Sequence, residues 1–271
     1  MTTGDGVEGR GRRAADGSGA EHLGEVTAEL TASLGSPDPD ERDRAALPTL
    51  VRWVEHGVYD DLLPGLGDGM VTGLSIGLGE TGTQSVLRRA ASVQVLTAVL
   101  RRDTEERLAR TDDILTWGDA VFTWFVRERD LRDRVGAAQA LALAHGADAL
   151  DALAASPHLD TLGLTVLLDV VGDRLLLGPE RHGRETIDRL ARCVVRVVAT
   201  GRMPLAVVEP WVARLAAPAD EPVATSVQDF LRALHVGLLL GEARPELRSD
   251  LLLSMAATLR RTSPSLFGRT T

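Results

Sequence analysis

His145 and Asp148 stand three residues apart in the stretch Ala144-His145-Gly146-Ala147-Asp148-Ala149-Leu150. On a helix that spacing puts an imidazole and a carboxylate on one face, where the carboxylate can orient the ring and the ring can move a proton. The pair equally suits an ordinary hydrogen-bonded contact between two helices. Asp169 and Asp173 lie four apart on the next long apolar segment. If that segment packs against the one carrying His145, three carboxylates and an imidazole converge in a groove, with His145 as the acid–base group. The alternative leaves Asp173 solvated and paired with Arg174 or Arg132.

A second set contains Trp117, Asp119, Trp124, Glu128 and Asp130, followed by Arg132. Aromatic rings beside acidic groups can line a pocket for a cationic or polar ligand. Trp117 and Trp124 also share a stripe with Ile114 and Val121, which reads them as core. Gly73-Leu74-Ser75-Ile76-Gly77 matches G-x-S-x-G, a pattern that exposes a nucleophilic serine only where a strand turns sharply into a helix. No parallel strands are readable around it, so Ser75 is expected to be inert. Gly65-Leu66-Gly67-Asp68-Gly69 lacks the preceding strand of a phosphate-cradling loop and reads as a turn between helices. Arg88-Arg89 and Arg101-Arg102 fall on one predicted helix, but Asp103, Glu105 and Glu106 neutralise most of such a strip. Cys193 is the single cysteine, which excludes an internal disulfide and a thiolate zinc site, and its place on an apolar stripe reads as a packed thiol.

The elements that must position these groups are helices. Ile114, Trp117, Val121, Trp124 and Phe125 fall at i, i+3, i+7, i+10 and i+11, which makes one apolar stripe. The offsets recur in Leu164, Leu167, Leu168, Val171 and Leu175, in Ile187, Leu190, Ala191, Val194 and Val198, and in Val227, Phe230, Leu231, Leu234 and Leu238. Ser36-Pro37-Asp38-Pro39-Asp40-Glu41 feeds acidic residues into a helix N-terminus, Pro204 opens a later helix, and Gly57, Gly79, Gly201 and Gly241 sit where periodic segments stop. The pattern predicts an all-α fold of about ten to twelve helices joined by short connections, an irregular α-α superhelix of the HEAT or armadillo type without a strict repeat. Gly, Ser, Asp and Arg dominate the start, so residues 1–21 are expected as a disordered tail, 22–261 as one helical domain and 262–271 as a flexible tail.

Trp53-Val54-Glu55-His56-Gly57-Val58-Tyr59-Asp60-Asp61-Leu62-Leu63 and Gly65-Leu66-Gly67-Asp68-Gly69-Met70 resemble a bacterial family known as domain of unknown function 2785 (DUF2785). Trp117-Gly118-Asp119, Glu128-Arg129-Asp130-Leu131-Arg132 and Ala144-His145-Gly146-Ala147-Asp148-Ala149-Leu150 follow in the family's order. The similarity extends from about Pro37 to Leu252. It implies an all-helical fold and no assigned activity. The family pattern carries a Trp and a His just before the His145 block, where this chain has Gln139 and Leu141. A His pair at i, i+4 on one helical face suits a metal, and Leu141 removes half of it, so no metal is expected.

The 271 residues are 44% hydrophobic, only 3% aromatic, and carry a formal net charge of −9. A phosphate-neutralising or base-stacking surface is therefore disfavoured, and no nucleic acid is expected as a partner. Every basic residue is Arg, which removes a P-loop lysine and a Schiff base from the available chemistry. No uncharged apolar run reaches the ~18 residues of a membrane span, and the first twenty residues do not read as a signal peptide. Neither membrane association nor a cofactor is expected, and a cytoplasmic location is. The function anticipated is a protein- or peptide-binding scaffold, with an enzyme or small-ligand pocket around His145, Asp148, Asp169 and Asp173 as the alternative.

Overall fold

A computed structural model describes residues 8–177, 181–217, 220 and 223–262. Among them are eleven α-helices: α1 (Glu8–Ser33), α2 (Leu47–Glu55), α3 (Leu63–Ser75), α4 (Ser85–Glu106), α5 (Thr111–Arg127), α6 (Ala142–Ala155), α7 (Thr161–Leu176), α8 (Arg184–Ala199), α9 (Leu205–Leu215), α10 (Val223–Leu240) and α11 (Arg248–Thr262). A π-helical segment, Asp40–Ala46, leads into α2, and a 3-10 turn, Asp60–Leu62, leads into α3. The only strands among the described residues are β1 (Arg134–Val135) and β2 (Ala138–Gln139), an antiparallel ribbon in the loop before α6. The all-α expectation holds, and Val194–Val198 is helix.

Helices two apart in sequence are neighbours. α4 packs on α6, α6 on α8 and α8 on α10, while α3 packs on α5, α5 on α7, α7 on α9 and α9 on α11. The chain thus alternates between two rows, and the four predicted stripes are the faces by which the rows meet. All twenty stripe residues are buried. Such stripes hold the rows together because each large apolar side chain removed from water contributes about 1.5–3 kcal/mol.

Two glycines set the distance between helices. A Cβ on Gly67 would lie 2.2 Å from Cζ2 of Trp117, and one on Gly146 would lie 2.5 Å from Cδ2 of Phe125. This corrects the reading of Gly65–Gly69 as a turn. The run is inside α3. Its central glycine is there so that the indole of Trp117, on α5, can lie against the helix backbone, and the ring nitrogen then donates to Asp68 Oδ1 at 2.8 Å. Of the four glycines expected to end helices, Gly57, Gly79 and Gly201 have positive φ, whereas Gly241 does not.

α1 begins at Glu8, inside the stretch expected as a tail, and of its described side chains Leu23 and Leu30 pack on the core. Residues 1–7 and 263–271, the outer parts of the two expected tails, lie outside the described residues. No helix among the described residues is long and apolar enough to cross a membrane.

Candidate functional site

α6 and α8 run side by side in one row, and their contact carries a ladder of charge. On α8, Arg189, Arg192 and Arg196 stand at steps of three and four, so they share a face. Opposite them on α6, Asp148 accepts from Arg189 and Arg192, and Asp151 accepts from Arg196 Nε at 2.6 Å. Arg189 reaches back to Glu185 as well and donates from Nη1 to His145 Nδ1 at 3.4 Å. A guanidinium only donates, so Nδ1 of His145 is the acceptor and the ring is neutral with its proton on Nε2. Burial and the positive charge of Arg189 push the His145 pKa down to about 4, against smaller opposing effects of Asp148 and Glu185.

His145 and Asp148 do share a helical face, but Asp148 does not orient the imidazole. The guanidinium of Arg189 stands between them and binds both. A lone pair already occupied by a guanidinium, on a base as weak as this one, is poorly placed to take a proton near neutrality. Asp169 and Asp173 do not join the site. Both lie on α7 and accept from Arg214 of α9, at 3.0 and 3.2 Å, with all three side chains largely in solvent. The partner is Arg214 rather than the Arg174 or Arg132 anticipated, because α9 is the row neighbour of α7. Arg174 is buried and donates from Nη1 to the Glu128 carbonyl at 2.9 Å.

The position four before His145 is not on the same helical face. Leu141 precedes α6 with a left-handed backbone, φ 47°, so an i, i+4 pair with His145 within one helix does not form there. No group of three or more His, Cys, Asp or Glu side chains among the described residues is arranged to hold a metal ion.

The second set is assembled around Glu128, at the C-terminal end of α5. Glu128 and Arg89 of α4 are both 0% exposed and form a two-pronged ion pair, Nε to Oε2 at 2.6 Å and Nη2 to Oε1 at 2.8 Å. Trp124 Nε1 donates to Oε2 at 3.0 Å and the Asp130 amide to Oε1 at 2.9 Å. Arg89 Nη1 in turn donates to the carbonyls of Ile76 and Gly77 and to Ser85 Oγ, at 2.8–2.9 Å. Asp130 accepts from the Gly82 amide at 3.1 Å and from Arg132 Nε at 2.7 Å. Burial alone would raise the Asp130 carboxyl, but the Arg132 side chain and the amides of Arg132 and Gly82 hold it below its usual range.

Every member of this network finds its partner within the chain. It ties the α3–α4 connection, the middle of the fold and the loop after α5 into one unit. Trp117 and Trp124 are core, and Asp119 is exposed on the outside of α5. Trp117, Asp119, Trp124, Glu128 and Asp130 thus do not face a common cavity. Ser75 ends α3 and donates to the Thr72 carbonyl at 2.7 Å, with no sheet beneath it. Cys193 is fully buried, which pushes its thiol pKa well up.

Sequence reasoning took Arg89 for part of a basic surface strip. Its position gives a signal that points inward: it lies three after Val86 and four before Val93, in the middle of an apolar stripe. Arg42 was missed altogether. It is buried in the π-helical segment and donates to Asp43 and to the Gln139 carbonyl, joining the start of the fold to the loop before α6.

A family model described as Protein of unknown function (DUF2785) matches residues 74–235, more than half of the chain. The chain belongs to the DUF2785 family. The DUF2785 match contains the whole Arg89–Glu128 network and the α6–α8 ladder. It is shorter at both ends than the resemblance suggested, and the stretch from Trp53 to Met70 lies outside it. No curated protein and no solved structure matches the chain.

Proposed function

We propose that this DUF2785 protein is a non-enzymatic binding module in which two stacked rows of helices form a scaffold for a protein or peptide partner, acting in the cytoplasm. The observation that carries this reading is the fate of the candidate catalytic groups. His145 and Asp148 are held by Arg189, Asp169 and Asp173 turn to Arg214 on another pair of helices, and Glu128 is saturated by Arg89. Charged groups that all have internal partners brace a framework, and the rows of such a framework leave long outer faces for recognition.

One of those faces has the chemistry of a docking surface. Leu115 on α5 and Leu162 and Val166 on α7 are 47%, 71% and 42% exposed. The two helices are row neighbours and begin at the same end, since Thr111, the first residue of α5, is 2.9 Å from His158, just ahead of α7. The three apolar side chains therefore stand at one level. Asp119 lies four after Leu115 on the same side, and Asp112 and Asp160 are also exposed there; of the cations beside them, Arg110 is paired with Asp112 and Arg202 is half-buried on the Leu159 carbonyl. An apolar patch with an acidic rim fits a partner helix with an apolar stripe flanked by basic residues.

The test is titration with two sets of synthetic amphipathic helical peptides that share a leucine stripe, one flanked by Arg and Lys, the other by Glu. The reading predicts saturable binding of the basic set, weakened by salt and lost in Leu115→Ser/Leu162→Ser. Equal binding of both sets, no binding of either, or binding indifferent to the double substitution would refute it.

A further inference from the structure

We infer that the groove between α1 and α3 is a binding site for an apolar monocarboxylate, an acyl chain whose head group is received by Arg88. This site is distinct from the docking face and does not depend on it. Thr27, Ala28 and Thr31 of α1 form one wall, and Leu66, Gly69 and Met70 of α3 form the other, of an open groove of about 720 Å3. That falls within the roughly 300–1,000 Å3 usual for small-molecule sites. The walls are mostly apolar or small. A Cβ at Gly24, Gly65 or Gly69 would meet nothing within 4 Å, so the space exists because these positions lack side chains.

Arg88, at the α4 side of the groove, is the feature that calls for a ligand. Its Nη1 donates to the Thr31 carbonyl, its one hydrogen-bond partner among the described residues, and no carboxylate pairs with it. Nε is buried without a partner. Most other buried or half-buried arginines of the fold meet an acidic side chain: Arg89 meets Glu128, Arg42 meets Asp43 and Arg102 meets Asp60. Nε is enclosed against α3, but Nη2 has no partner among the described residues, and a carboxylate there would give this half-buried guanidinium the charge-assisted bonds that no acidic side chain supplies. Burial lowers the Arg88 pKa without any opposing acidic neighbour, in line with that geometry.

The groove also says which way the ligand lies. Tyr59 presents its ring while its hydroxyl is engaged with Thr27 Oγ1 at 2.8 Å, so it offers an apolar wall. Asp61 is exposed at the rim and repels an anion there. The head group is thereby directed to Arg88 and the chain to the small-residue walls.

Sodium dodecanoate, kept below its micellar concentration, is the probe, with dodecanol and dodecyltrimethylammonium as controls, followed by titration calorimetry on the full chain. One saturable site for dodecanoate is expected, at least tenfold tighter than either control. Arg88→Met should remove that preference. Because Arg88 also holds the end of α1, Gly69→Leu provides an independent arm: it fills the groove at a position with room, and should abolish binding while leaving the melting temperature unchanged or raised. Absence of saturable binding, equal affinity for dodecanol, or full binding by a folded Gly69→Leu protein would overturn the assignment.

Discussion

Arg89→Met removes one half of the most deeply enclosed ion pair among the described residues. Methionine fills a similar volume, so packing is largely preserved and the electrostatic loss dominates. The substitution strips Glu128 of two guanidinium bonds and leaves it the Trp124 and Asp130 N–H groups, while the Ile76 and Gly77 carbonyls and Ser85 Oγ lose a donor. Removing one partner of such a pair costs about 3–5 kcal/mol, because the remaining charge stays buried. For a chain of this size that corresponds to a fall in Tm of roughly 6–20 °C, at about 2–4 °C per kcal/mol. Urea denaturation followed by helical circular dichroism measures it directly. Glu128→Leu alone should also destabilise, and Arg89→Met/Glu128→Leu should recover much of the loss, since no uncompensated charge is left behind. Single losses below ~1 kcal/mol, or a double variant whose loss equals the sum of the singles, would refute the reasoning.

Gly67→Ala should destabilise by about 1–3 kcal/mol despite alanine's better helix propensity, because the new methyl group collides with Trp117; near-ultraviolet circular dichroism and tryptophan fluorescence would report the displaced indole. His145 has its pKa lowered in the folded state, so the unfolded chain binds the proton more readily and stability falls with decreasing pH. Between pH 6.5 and 4 the loss should approach about 3 kcal/mol, and His145→Gln should flatten that part of a stability–pH curve taken from chemical denaturation. Asp169→Asn and Asp173→Asn should each change stability by less than ~1 kcal/mol in the same assay, as exposed ion pairs contribute little.

What the sequence made legible is what depends on neighbours along the chain. The stripes from Ile114, Leu164, Ile187 and Val227 follow from helical periodicity, and all of their residues are buried. The Ser36–Glu41 stretch likewise leads into a helix, with Ser33 and Ser36 donating to Glu41. What escaped depends on residues 39 or more positions away. Gly67 looks like turn chemistry until Trp117 lies against it. Glu128 looks like a ligand group until Arg89 is found in the opposing helix. His145 and Asp148 look like an acid–base pair until Arg189, on α8, takes the place between them. Such partners are chosen by how the helices stack within and across the two rows, a property that no local spacing encodes.

The arginine-bound state of His145 bears most directly on whether these groups brace a framework or perform catalysis. Nitrogen-15 chemical shifts of the His145 ring, recorded from pH 8 to pH 3.5, should show a neutral ring protonated on Nε2 that begins to charge only near pH 4. A ring that titrates near its ordinary value of about 6.5, or one that carries its proton on Nδ1, would contradict the account and return His145 to the role of a proton-transferring group.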